Sequence, residues 1–142
     1  MRFIITAHRD ETKPATDAPF DENVFAAYMK FNEEMHKAGV LIASEGLNPG
    51  SPGARVAVAG GKRKVLDGPF AESKELVGGF YLIEVPSLEE AKAWALRCPT
   101  GLGTDDVLEI RQLTGSEDIP QPLLDLAVSV APAWTASFTK GK

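Results

Sequence analysis

Polar and apolar positions alternate over residues 2–8, with Phe3, Ile5 and Ala7 on one side and Ile4, Thr6 and His8 on the other. This period of two predicts a first strand. After a polar, proline-containing stretch to residue 20 the period changes. Val24, Tyr28, Phe31, Met35 and Ala38 step by four and three, the stripe of a helix that Asp21 is placed to cap and Gly39 to end in a left-handed turn. Residues 40–43 make a short apolar strand, and the prolines and glycines of S-E-G-L-N-P-G-S-P-G hold regular structure off until Arg55. Val56 and Val58 mark a third strand, Gly60 and Gly61 turn the chain, and residues 62–66 return as its hairpin partner. Residues 77–85 form a further strand. In S-L-E-E at 87–90 the serine and the glutamate three residues on form a capping box. A second helix therefore begins at Leu88, buries Leu88, Ala91, Trp94 and Ala95, and stops before Pro99. Residues 107–113 alternate again, Val107, Glu109, Arg111 and Leu113 opposite Leu108 and Ile110.

The order of elements is β-α-β, a hairpin insertion, then β-α-β. Two such split units place both helices on one face of an antiparallel sheet, an α+β, ferredoxin-like arrangement. The other face would then expose Ile4, Tyr81 or Phe80, Val107 and Leu113, and a second copy of the sheet is the simplest cover, which predicts a homodimer. Residues 117–142 follow as an extension. Its Leu123, Leu124, Leu126, Val128, Trp134 and Phe138 are too apolar for a free tail and predict partial docking on the domain or on a partner subunit, with the end after Pro132 loose in the opposite case.

Composition narrows the function classes. A chain of 142 residues with 44% hydrophobic residues supports one core, and a net charge of −5 argues against a nucleic-acid partner. Lys62, Arg63 and Lys64 cluster as cations in the hairpin, where a solvated turn explains them. One cysteine and two histidines supply neither a disulfide framework nor a structural zinc set, and a reducing cytoplasm is the expected compartment. No apolar run has the length of a signal peptide or a membrane helix, so no membrane partner is expected. The glycine pairs at 60–61 and 78–79 lack nucleotide-binding spacing, and no cofactor is expected.

Several pieces together resemble a known family: K-A-G-V-L-I-A-S-E-G-L at 37–47, D-G-P-F-A-E-S-K-E at 67–75, G-G-F-Y at 78–81, A-L-R-C-P at 95–99 and E-I-R-Q at 109–112. With the N-terminal strand they cover about residues 1–118, and in this order they resemble the YCII-related proteins, in particular the branch named for its D-G-P-F motif. The resemblance implies a ferredoxin-like dimer of the dimeric α/β barrel kind. It implies little about activity. A His-Asp pair was proposed as catalytic in YciI-like relatives, and some D-G-P-F members are associated with extracytoplasmic-function sigma factors. Two positions depart from the pattern: Tyr28 stands where the YciI-like branch places a helix histidine, and C-P-T-G-L-G puts Leu102 where close relatives often carry another.

The candidates for chemistry each carry two readings. Asp67, before Gly68 and Pro69, fixes a turn through its carboxylate or serves as a general base beside a partner. Phe70 plugs the helix layer or walls a pocket. Glu72, Lys74 and Glu75 are solvated charges or part of a shared site. His8 is a polar residue at a strand end, or it faces the dimer interior with Glu109 and Arg111, where such a group can bind or activate a small acid. His36 belongs on the surface near a helix end, and Cys98 reads as an inert thiol. Two functions follow. One is a small-molecule or enzyme-like site formed by His8, Glu45, Asp67, Tyr81 and Arg111, with Phe70, Glu72 and Lys74 beside it. The other is a non-catalytic regulatory module paired with a sigma factor through the charged motif and the C-terminal extension. Whether the domain catalyses a reaction is left open by these residues.

Overall fold

The computed structural model describes residues 1–8, 21–47, 53–67, 77–99 and 107–139. Among the described residues the strands are β1 (Arg2–His8), β2 (Leu41–Gly46), β3 (Ala54–Ala59), β4 (Lys62–Asp67), β5 (Val77–Glu84) and β6 (Val107–Gln112). They alternate with the helices α1 (Glu22–Lys37) and α2 (Leu88–Leu96), and α3 (Gln121–Val130) and α4 (Pro132–Thr139) follow. The main sheet has the order β2-β5-β1-β6, every neighbour antiparallel. Setting the hairpin aside, this is the ferredoxin-like α+β order that the alternating periods predict.

The ends of the helices are set by local chemistry. Asp21, in extended backbone, accepts hydrogen bonds from the amides of Asn23 at 2.8 Å and Val24 at 3.4 Å, satisfying donors that the first turn of α1 leaves open. At the other end Gly39 takes a φ of +75°, the left-handed conformation that only glycine adopts without strain. Ser87 Oγ accepts from the amide of Glu90 at 3.2 Å and starts α2. The helices lie on one face of the sheet, α1 against β2 and α2 against β1 and β6. Between them and the sheet lies the core of Phe3, Ile5, Phe31, Met35, Tyr81, Ile83, Val85 and Ala91. Phe31 meets the Tyr81 ring edge-on at 5.8 Å and the Trp94 ring at 6.2 Å. Leu88, expected in this core, stays exposed in the first turn of α2, where contact with the sheet is made instead by Ala91 and the half-buried Trp94 and Ala95.

Strand β2 is longer than the alternation predicts. It continues past Ala43 to Gly46, because Glu45 and Gly46 pair with Phe80 and Gly79 of β5. A Cβ on Gly79 would stand 2.8 Å from the carbonyl oxygen of Glu45, so the missing side chain is what lets the two backbones close. A register irregularity between Leu41 and Ala43 adds one residue to β2, a bulge that reverses which side of the sheet the following residues face.

The hairpin β3–β4 forms a sheet of its own, with Gly60 and Gly61 at φ +61° and +78° in the paired left-handed conformation of a tight hairpin turn. Its apolar side chains are exposed: Val56, Val58, Val65 and Leu66. In the C-terminal extension α3 packs against α4, and Thr135 Oγ1 donates to the carbonyl of Ala131 at the junction.

Candidate functional site

Register pairing across the main sheet assigns every strand residue to a face, because residues directly opposite each other share one. Phe3, Ile5, Tyr81, Ile83, Leu108 and Ile110 face the helices. The face opposite α1 and α2 reads in rows. One row runs Glu45, Phe80, Thr6, Glu109 from β2 to β6, and the next runs Ala43, Leu82, Ile4, Arg111. The first is mostly polar, the second mostly apolar with an arginine at its end. Beyond the polar row lies His8, paired with Val107 on one side and, across a register shift, with Val77 on the other.

His8 is oriented by its own strand. Its Nε2 shares a 2.7 Å hydrogen bond with Thr6 Oγ1, two residues back and hence on the same face. This fixes the imidazole and leaves Nδ1 as the ring atom for exchange with a bound molecule, as donor or acceptor according to the tautomer. Glu109 stands across from Thr6, and Arg111 lies opposite Ile4, four residues along the sheet from His8, or about 13 Å at the strand rise. His8, Thr6 and Glu109 are therefore neighbours, whereas Arg111 stands on the same face further along the sheet. Glu45 owes its place to the bulge in β2: with unbroken alternation from Leu41, which is opposite Ile83, it would face the helices.

Tyr81 does not join this group. It is opposite Ile5 and Ser44, on the helix face and in the core, because β5 alternates and its open-face residue at this level is Phe80. There Cys98 Sγ donates to Tyr81 Oη over 3.8 Å. Burial, with smaller contributions from Cys98, holds the Tyr81 phenol far above its ordinary range, and burial also pushes the Cys98 thiol up, offset in part by the bond to Tyr81. Both groups are held neutral, the opposite of an activated nucleophile. His36 is exposed in the last turn of α1, as expected of a surface residue.

Asp67 ends β4, its backbone paired with Ala54. Phe70, Glu72, Lys74, Glu75 and Leu102 lie outside the described residues. Strand β5 begins at Val77, which pairs with His8.

Three features were not read from the sequence. Thr6 shares the side of His8 by alternation, and that two-residue spacing was the signal of their hydrogen bond. Tyr28 Oη and Asn32 Oδ1, one turn apart on α1, are buried and find no hydrogen-bond partner among the described residues. The third is a groove of about 340 Å³ on the helix side, lined by Val40, Val85, Pro86, Glu90, Trp94 and Arg97. Arg97 caps it, its guanidinium 4.5 Å above the Trp94 ring and ion-paired to Glu34. Among the described residues no cluster of three His, Cys, Asp or Glu side chains could hold a metal ion, and no helix is long and apolar enough to cross a membrane.

A family model, the YCII-related domain, matches residues 1–114. An uncharacterized protein of Rhizobium meliloti (strain 1021) is 32% identical over 114 residues, which cover 80% of this chain and 92% of that protein. Among solved structures, a 5-chloro-2-hydroxyhydroquinone dehydrochlorinase from Burkholderia phenoliruptrix, in complex with 2,5-dihydroxybenzoquinone, aligns over 84% of this chain and all of its own. Its identity is 13% and its TM-score 0.42.

Proposed function

Because the chain belongs to the YCII-related domain family, we propose that it is a small-molecule-binding domain of the D-G-P-F branch, acting as a homodimer with an acid–base site on the open face of the sheet beside His8. The observation that carries this reading is the His8–Thr6 hydrogen bond on a face that also bears Glu45, Glu109 and Arg111. The ligand is a small organic acid. Arg111 is suited to hold a carboxylate through two parallel N–H bonds, and His8 Nδ1 to exchange a proton with a polar group at the other end. Their separation along the sheet, less the reach of the arginine side chain, fits a molecule about 6–7 Å long.

Asp67 belongs to the same site in this reading, with Phe70, Glu72 and Lys74, since their segment leads into Val77 beside His8. The second subunit covers the apolar row of Ala43, Leu82 and Ile4 together with Val107, which is 52% exposed in the single chain. Excluding water in this way strengthens every charge interaction beneath it.

Calorimetric titration with 4-hydroxybenzoate tests the reading. The wild type is expected to bind. His8→Ala and Arg111→Ala each weaken affinity by about tenfold or more, which is about 1.4 kcal/mol. Tyr81→Phe, on the opposite face, leaves it unchanged. Equal affinity in wild type and both open-face variants would remove the basis for the site.

A further inference from the structure

Phe80 is the one phenyl ring among the open-face strand residues, and acid–base chemistry gives it no part. Register sets it inside the polar row. It stands directly opposite Thr6, the residue that orients His8, and on its other side opposite Glu45. Directly opposed side chains start about 4.5–5.5 Å apart, so the half-buried Phe80 lies alongside the Thr6–His8 pair.

The strand next to this ring is bare. Ala7 and His8 are consecutive in β1 but pair with Gly79 and Val77, so β5 holds one extra residue, Gly78, beside His8. The carbonyl of Gly78 is already engaged, accepting from the Leu47 amide at 2.9 Å. Between Phe80 and Val77, β5 presents only glycine, which leaves one flank of the ring open next to the histidine. In the other direction Leu82 follows Phe80 on the same face, with Ile4 across from it and Arg111 beyond. The stretch from His8 to the level of Arg111 is thus lined on β1 and β5 by Thr6, Phe80, Ile4 and Leu82, with Glu109 the charge beside it on β6.

We propose that Phe80 makes this site selective for aromatic acids, the ligand's ring packing against the phenyl while its carboxylate meets Arg111 and its hydroxyl meets His8 Nδ1. The inference rests on the acid-binding site proposed above and adds to it the class of ligand and the residue that selects it. A planar ring meets a phenyl in offset or edge-on contact, which a puckered saturated ring of the same size cannot reproduce. The preference this supplies is about fivefold in affinity.

Calorimetric titration of the wild type with 4-hydroxybenzoate and with trans-4-hydroxycyclohexanecarboxylate tests the selectivity, since the two acids carry the same groups on different rings. The aromatic acid is expected to bind about fivefold more tightly. Phe80→Leu should bring the ratio near one by weakening the aromatic acid alone, and Phe80→Tyr should keep it. Benzoate against cyclohexanecarboxylate, which lack the hydroxyl and need no variant, should show the same ratio in the wild type. A wild-type ratio near one in either pair, or a ratio that persists in Phe80→Leu, overturns the role of Phe80. So does a Phe80→Leu variant that weakens both acids equally, which would assign the ring to the shape of the face. In each of these cases the acid site itself stands if His8→Ala and Arg111→Ala still weaken both acids. A wild type that binds none of the four acids overturns the selectivity and the site together.

Discussion

Tyr28 and Tyr81 show how differently one residue type is used in this core. Tyr28 buries a hydroxyl that finds no partner among the described residues, and a buried hydroxyl left unbonded costs stability. Tyr28→Phe should therefore raise stability by about 1 kcal/mol, read as a higher denaturant midpoint with unchanged slope. A loss of similar size would reveal a partner for the hydroxyl. Tyr81 has its partner in Cys98, and burial holds its phenol protonated. In the unfolded chain the proton leaves near the ordinary value of about 10, so the stability tied to the neutral phenol is intact below that pH and is lost as pH rises above it. Denaturation midpoints measured from about pH 8 to 11 should hold until about pH 10 and then fall, at up to about 1.4 kcal/mol per pH unit, and Tyr81→Phe should flatten the decline. An equally steep decline in that variant would assign it to other groups, Cys98 first. Which of Phe80 and Tyr81 faces the helices depends on pairing register rather than hydropathy, and the sequence left that choice open.

At the scale of elements, most boundaries were legible because local chemistry sets them: Asp21 caps α1, Ser87 caps α2, and Gly60 with Gly61 turns the hairpin. The extent of β2 was not. Its last residues, Ser44 to Gly46, have loop-like composition and become strand only because glycine at 79 lets β2 and β5 approach. Gly79→Ala should consequently push the Glu45 backbone aside and cost about 1–3 kcal/mol, measured by thermal or urea unfolding. A change under a few tenths would show that β2 yields without strain. The bulge after Leu41 was equally invisible, since one extra strand residue leaves no compositional mark, yet it turns Glu45 to the face that carries His8.

For the whole molecule, element order was enough to predict the ferredoxin-like sheet with one uncovered face, because each period of two or of 3.6 specified its element independently. The candidate site was legible only in outline. Thr6, His8, Glu109 and Arg111 were placed by parity along two strands, while Phe80 needed the register between strands. The account as a whole depends on where a small acid binds: the open face with its oriented histidine, or the helix-side groove beneath Arg97. Heteronuclear NMR mapping of 4-hydroxybenzoate on the wild-type protein decides this directly. The predicted result is perturbation of Thr6, His8, Phe80, Glu109 and Arg111 with Trp94 and Arg97 unmoved. Perturbation confined to Val40, Val85, Trp94 and Arg97 would contradict it.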